Sequence, residues 1–192
     1  MKKILILICL MVAIASQAQT DSAKTALLLI DIQYFYFEGG STELVNPIPA
    51  SLNAQKLLVD FRNSNRLVIH VKHGEGKGSE IQSNVAPLPG EKVIVKHEVN
   101  SFLNTDLLPY LKENGISNLV ICGMQTHMCL EAATRAAADF GFKCTVIHDA
   151  CATRDLKFNG VIVKAEDVHL STLAALKAYA SVMSSDEYLR TK

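Results

Sequence analysis

The sequence predicts one α/β domain: a three-layer, Rossmann-like fold with a mostly parallel sheet of about six strands and helices on both faces. Three observations predict it. Short apolar runs of strand length alternate with helical segments along the chain. Within those runs the apolar residues are consecutive rather than alternate, as in strands buried on both faces. The 192 residues are 49% hydrophobic and 20% charged, enough for one full core, with no internal repeat, linker or low-complexity stretch.

The first eighteen residues stand apart. Met1-Lys2-Lys3 is basic, Ile4 to Ala15 is apolar, and Ser16-Gln17-Ala18 offers small residues at both ends of a cleavage site. That is the pattern of a secretory signal peptide. The run is too short to span a bilayer, which takes about 20 apolar residues. Residues 1–18 are therefore expected to be a signal peptide and 19–192 the mature domain, exported to a periplasm or secreted.

The elements follow in order. Ala26–Ile32 (ALLLIDI) reads as a first strand interrupted by one Asp, and Glu38-Gly39-Gly40 breaks it. Pro49–Phe61 has its apolar residues at helical spacing. Leu67–Val71 is a second strand. Residues 74–90 hold four Gly and two Pro and read as a loop. Lys92–Lys96 (KVIVK) is a third strand. Leu107–Glu113 is a short helix stopped by Asn114-Gly115. Leu119–Cys122 is a fourth strand, Leu130–Phe140 an Ala-rich helix ended by Gly141, and Cys144–Ile147 a fifth strand. A loop then leads to a last long helix, Ala165–Ala180, with Val182 and Met183 opening a sixth strand.

Nineteen basic and nineteen acidic side chains balance. Neither non-specific nucleic-acid binding nor a polybasic membrane contact has electrostatic support. Ligands in such sheets bind beyond the carboxyl ends of the strands, so the residues there carry the functional reading. The first strand ends at Asp31 and the third at Lys96; each charge is costly to bury unless partnered. The fourth runs through Gly123-Met124-Gln125-Thr126-His127-Met128 into Cys129, at the start of a helix. A thiol in that position is favoured as thiolate by the helix dipole and by a neighbouring ammonium. Each feature alone has a bland reading: a capping Asp, a solvent Lys, a buried small hydrophobe. Together at one edge of one sheet, a carboxylate, an ammonium and a thiol make a nucleophile with its base.

These residues carry a resemblance. The segments LLLIDIQYFYFEGG (27–40), VIVKHEVNSFLNTDL (93–107), GISNLVICGMQTHMCLEAATRAAADFGF (115–142) and VIHDACATRD (146–155) resemble the isochorismatase-like cysteine hydrolases. That superfamily includes nicotinamidases, N-carbamoylsarcosine amidases, ureidoacrylate amidohydrolases and biuret hydrolases. The resemblance covers most of residues 19–192. It implies catalytic roles for Asp31, Lys96 and Cys129, a cis peptide at Met124–Gln125, and an oxyanion hole from the backbone N–H groups of Gln125 and Cys129. It further implies a small amide or ureido substrate cleaved at a carbon–nitrogen bond through a thioester, and a homo-oligomer.

Two departures narrow the reading. Nicotinamidases bind a metal through Asp-x-His after the second strand, whereas this chain has His70-Val71-Lys72-His73-Gly74. No metal and no cofactor are therefore expected. Isochorismatases proper act on a vinyl ether and lack the nucleophilic Cys, so Cys129 points away from that chemistry.

Four residues are candidate pocket positions. Tyr36 matches an aromatic that lines the pocket in that family. His73 follows the second strand and could meet a substrate oxygen. Phe102 is pocket wall or plain core, and Gln33 is expected to orient the Asp31 loop. His127 is read as supporting or interfacial, and His169 as structural. Cys122, Cys144 and Cys151 read as buried thiols, since neighbouring strands rarely suit disulfide geometry. The rival from another class is a catalytically idle family member that binds or scaffolds.

Overall fold

The structure is a computed structural model and describes residues 24–191. The expected signal peptide, residues 1–18, lies outside the described residues. Six strands form one sheet: β1 (Lys24–Ile30), β2 (Leu67–His73), β3 (Lys92–Lys96), β4 (Ile116–Met124), β5 (Lys143–Ala152) and, last in the sheet, β8 (Ala180–Met183). The spatial order is β3-β2-β1-β4-β5-β8, and every neighbouring pair is parallel. From β1 the chain winds outward to β2 and β3, then returns beside β1 as β4 and winds the other way. The carboxyl ends of β1 and β4 thus form the point where the winding reverses, the usual seat of a site in an open parallel sheet.

β1 shows why the strands read as continuous apolar runs. Ala26, Leu28 and Ile30 enter one core, where they meet α2 (Leu107–Glu113), α3 (Glu131–Asp139) and α4 (Ala165–Leu176). Leu27 and Leu29 enter the other, against Ala54, Leu57, Leu58 and Phe61 of α1 (Pro47–Asn63). Helices on both faces bury successive residues on opposite sides. The Ala stripe Ala133, Ala136 and Ala137 of α3 lets that helix lie close to the sheet.

Several boundaries differ from the sequence reading. β1 stops at Ile30 because Asp31 turns left-handed, with φ 50°, and its carbonyl receives the Gln33 amide at 2.9 Å. The carboxylate therefore leaves the strand instead of lying within it. α1 begins two residues early, with Pro47 in its first turn, where a missing N–H costs nothing. α2 has the expected bounds, and Gly115 after it takes φ 66°. β5 runs five residues past Ile147: its register with β4 jumps from Ile121–Val146 to Gly123–Cys151, so the extra residues bulge out of the ladder.

The expected loop after β5 contains a hairpin, β6 (Leu156–Phe158) and β7 (Val161–Val163), turned by Asn159-Gly160 with both φ positive. α4 ends four residues early. A further helix, α5 (Ser185–Arg190), follows β8 and is started by a Ser184–Glu187 capping box.

Candidate active site

Three strand ends converge. Asp31 follows β1, Lys96 closes β3, and β4 delivers the chain into a π-helical turn, Thr126–Leu130, that carries Cys129 and continues as α3. Lys96 Nζ lies 2.7 Å from Asp31 Oδ2 and 3.3 Å from Cys129 Sγ. The ammonium also donates to the Glu98 carbonyl at 3.1 Å and meets His73 Nδ1 at 3.2 Å. Asp31 and Lys96 are fully buried, and Cys129 keeps 5% of its surface.

Gly123 forms the floor. A Cβ there would sit 2.0 Å from the Ile30 carbonyl oxygen, and its φ of 128° suits only glycine. β4 can therefore press against the end of β1, which sets the spacing between Asp31 and the Cys129 turn. The Met124–Gln125 peptide is cis, as the resemblance implies. The carbonyl of Gln125 accepts the amides of Met128 and Leu130 at 3.0 and 3.3 Å, which winds the turn that presents the sulfur.

The electrostatics differ from the sequence reading in one respect. Burial pushes the Cys129 thiol up, to about 12; the Asp31 charge adds to this, and Lys96 opposes it without prevailing. The protonated thiol is therefore favoured, because burial outweighs the ammonium. Burial likewise raises the Asp31 carboxyl above its ordinary range. Lys96 and the thiol are close to it and pull it back in part. Neither oxygen of Asp31 has a well-aligned hydrogen-bond donor among the described residues, so the 2.7 Å contact is an ion pair of poor angle.

The pocket candidates separate into two kinds. Gln33 is fully buried, and all of its amide is engaged: it accepts the His73 amide at 2.8 Å and donates to the carbonyls of His73 and Ser79 at 3.1 and 2.5 Å. It binds the Asp31 segment to the end of β2, as an orienting residue should. Phe102 stacks with Phe142 and tilts against Phe140, in the same apolar cluster as Cys129. It belongs to the core. Tyr36 and His73 reach the site. The Tyr36 hydroxyl accepts from Gln125 Nε2 at 3.3 Å, and burial raises its phenol above the usual range, with smaller contributions from Asp31 and Cys129.

Other residues join that the sequence reading did not single out. Arg154 Nε donates to Gln125 Oε1 at 3.1 Å, extending the chain Tyr36–Gln125 outward. Thr153 Oγ1 meets His127 Nδ1 at 2.6 Å, and Thr126 Oγ1 meets His169 Nδ1 at 3.0 Å, so two residues of the turn, Thr126 and His127, are tied to α4 and to the segment after β5. Arg154 and Thr153 sit after the bulge of β5, and no local pattern betrays that they return to the site. All four described cysteines are free thiols and buried. No three His, Cys, Asp or Glu among the described residues are grouped to hold a metal.

A cleft of about 810 Å³ lies on the opposite, amino edge of the sheet, between Lys24, Arg62, Arg66 and Lys92. A smaller one of about 360 Å³ lies beside the end of β5, lined in part by His148, Thr153 and His169. The converging strand ends and the buried ion pair single out the carboxyl edge as the candidate site.

The isochorismatase domain pattern matches residues 25–187. The chain belongs to the isochorismatase family. The isochorismatase family protein YddQ of Bacillus subtilis strain 168, uncharacterized, is 47% identical over 86% of this chain and 99% of its own length. A streptothricin hydrolase of Streptomyces noursei is 31% identical over 68% of this chain and 50% of its own, and the maleamate amidohydrolase of Pseudomonas putida 26% over 68% and 73%. A solved isochorismatase-hydrolase structure from Oleispira antarctica superposes with a TM-score of 0.85 at 44% identity, covering 88% of this chain and 97% of that one. This isochorismatase-family chain thus has relatives that include hydrolases of carbon–nitrogen bonds.

Proposed function

We propose that the protein is a cysteine hydrolase that cleaves a carbon–nitrogen bond of a small amide or ureido compound through a thioester on Cys129. One observation carries the reading. A single buried ammonium, Lys96 Nζ, touches both a carboxylate at 2.7 Å and a thiol at 3.3 Å at the winding reversal of the sheet. Relatives named as hydrolases of maleamate and streptothricin support the reaction class.

The steps follow from the groups present. Because the thiol rests protonated, its proton moves to Asp31 as Sγ attacks the carbonyl carbon, and the raised basicity of Asp31 suits it to receive that proton. The carbonyl oxygen takes the negative charge and is held by the backbone N–H groups of Gln125 and Cys129. One such donor is typically worth ~2.7–4 kcal/mol in the transition state. Asp31 returns the proton to the leaving nitrogen as the carbon–nitrogen bond breaks, and ammonia or an amine departs. Water then attacks the thioester and gives its proton to Asp31. That proton goes back to sulfur as the acid leaves. Lys96 keeps its charge throughout and offsets the negative charge passing between oxygen and sulfur. The small exposure of Cys129 suits a small substrate.

The test is release of ammonia or amine by purified residues 19–192. The panel spans nicotinamide, N-carbamoyl compounds, ureidoacrylate, biuret, maleamate and simple lactams, with Cys129→Ala as control. Release from one compound, lost in the control, supports the reading. Release that survives in Cys129→Ala overturns it. Silence across the panel, together with a Cys129 that no alkylating reagent modifies at high pH, favours the idle binding protein.

Export and assembly belong to the same reading. Cleavage after Ala18 predicts a mature amino terminus at Gln19 in an exported fraction, checked by mass spectrometry. The hairpin β6–β7 leaves Phe158, Val161 and Ile162 largely exposed, Phe158 at 73%, and a lone two-stranded hairpin is marginal in water. Pairing with a second copy would cover it, and Phe158→Ser would then lower the mass seen by light scattering.

A further inference from the structure

The Lys96 ammonium has three protons and three hydrogen-bond partners, the Glu98 carbonyl, His73 Nδ1 and Cys129 Sγ, with Asp31 Oδ2 beside it as an ion pair. The carbonyl oxygen and the ring nitrogen, at 3.1 and 3.2 Å, are better acceptors than a thiol sulfur at 3.3 Å. The Glu98 contact is fixed in character, because a backbone carbonyl offers only acceptance. His73 is different. An imidazole nitrogen accepts only when it is unprotonated.

The placement of His73 is fixed as well. Gln33 takes hold of its peptide on both sides, accepting from the amide and donating to the carbonyl. Gln33 is two residues from Asp31 and fully buried. The same side chain therefore sets the position of the carboxylate segment and of the imidazole that share Lys96. β2 and β3 are also paired here, with His73 opposite Lys96 in the ladder.

We propose that His73 is a positioning residue whose unprotonated Nδ1 accepts from Lys96 Nζ and so holds the ammonium between Asp31 and Cys129. This rests on reading those three residues as the reactive set, and it replaces the role of His73 as a substrate contact. His73 acts through Lys96. Without an acceptor on that side, the flexible lysine stem turns its ammonium toward the Glu98 carbonyl, and the sulfur loses the charge that favours its ionised form.

The test is built on reach. Asn places an acceptor oxygen close to where Nδ1 stands, Gln places one near the far ring nitrogen, and Leu places none. The rate of Cys129 alkylation by iodoacetamide at pH 9, read by peptide mass spectrometry, needs no substrate. His73→Asn should stay within about twofold of wild type, while His73→Gln and His73→Leu should each fall about tenfold, the effect of one unit in thiol pKa. Thermal melts of all three variants identify any that fails to fold. Nitrogen-15 NMR of the His73 ring in the unaltered protein should show Nδ1 without a proton and Nε2 carrying one. Equal rates in all variants, an Asn variant as slow as Leu, or a protonated Nδ1 would each overturn the proposal. None of these outcomes depends on turnover, so the hydrolase reading stands or falls separately.

Discussion

Asp31, just after β1, and Glu91, just before β3, are both carboxylates set beside a cation, and they are treated in opposite ways. Glu91 is saturated. Arg62 grips it with Nε at 2.8 Å and a terminal nitrogen at 2.7 Å, His70 Nε2 lies at 2.9 Å and the Leu88 amide at 2.8 Å. Burial alone would raise this carboxyl, but these partners bring it down to about 2. Asp31 has one cation at a poor angle and no aligned donor, and burial prevails, raising it. A carboxylate with every lone pair occupied fastens strands and helices and has nothing left to give. One kept short of partners stays easier to protonate. The ingredients are the same, and the number of hydrogen bonds decides which carboxyl is held ionised.

Breaking each side in turn sharpens the contrast. The largest effect is expected at the reactive edge: Cys129→Ala should lower turnover by at least about 10⁴-fold while costing only about 1 kcal/mol of stability, measured by product release and urea unfolding. Next is the floor between the two strands. Gly123→Ala puts a Cβ 2.0 Å from the Ile30 carbonyl oxygen and should cost roughly 3 kcal/mol or more; an unchanged urea midpoint would show that β4 can back away from β1. At the saturated carboxylate the signs reverse. Glu91→Gln should cost about 2 kcal/mol, discounted because the pair sits near solvent, and leave turnover within about twofold of wild type. A loss of turnover there would mean that the two clusters are coupled through β2 and β3.

The smallest effect is in the pH dependence of unfolding. Glu91 is depressed from 4.5 to about 2 on folding, so its contribution is present above about pH 4.5 and disappears as pH falls toward 2. Glu91→Gln should flatten the stability curve in that window. Asp31 is raised, so its contribution runs the other way: its share of stability grows as pH falls through its folded value. Acid unfolding followed in both the wild type and Glu91→Gln separates the two slopes.

Much of this was legible along the chain. Alternating strand and helix patterns placed the sheet, and charged residues stranded at the ends of apolar runs marked Asp31 and Lys96. A thiol at the turn from the fourth strand into a helix marked Cys129, and the resemblance supplied the cis peptide. What escaped reading depends on distance in space. That burial raises the thiol is something no local pattern reports, and the helix terminus with the neighbouring ammonium suggested the reverse. Arg154 and Thr153 come back to the site only because β5 bulges after Ile147, and a register shift leaves no mark in composition. The hairpin was different: Asn159-Gly160 between apolar residues is a hairpin signal that was present in the sequence and passed over among loop residues.

The resting protonation of the thiols also bears on durability. Burial raises the thiols of Cys129, Cys144 and Cys151 well above the ordinary range, which favours their protonated forms at neutral pH. Peroxides and disulfides react with the ionised form, and the buried sulfurs are shielded besides. Thiols that burial keeps protonated are slow to be capped by such oxidants.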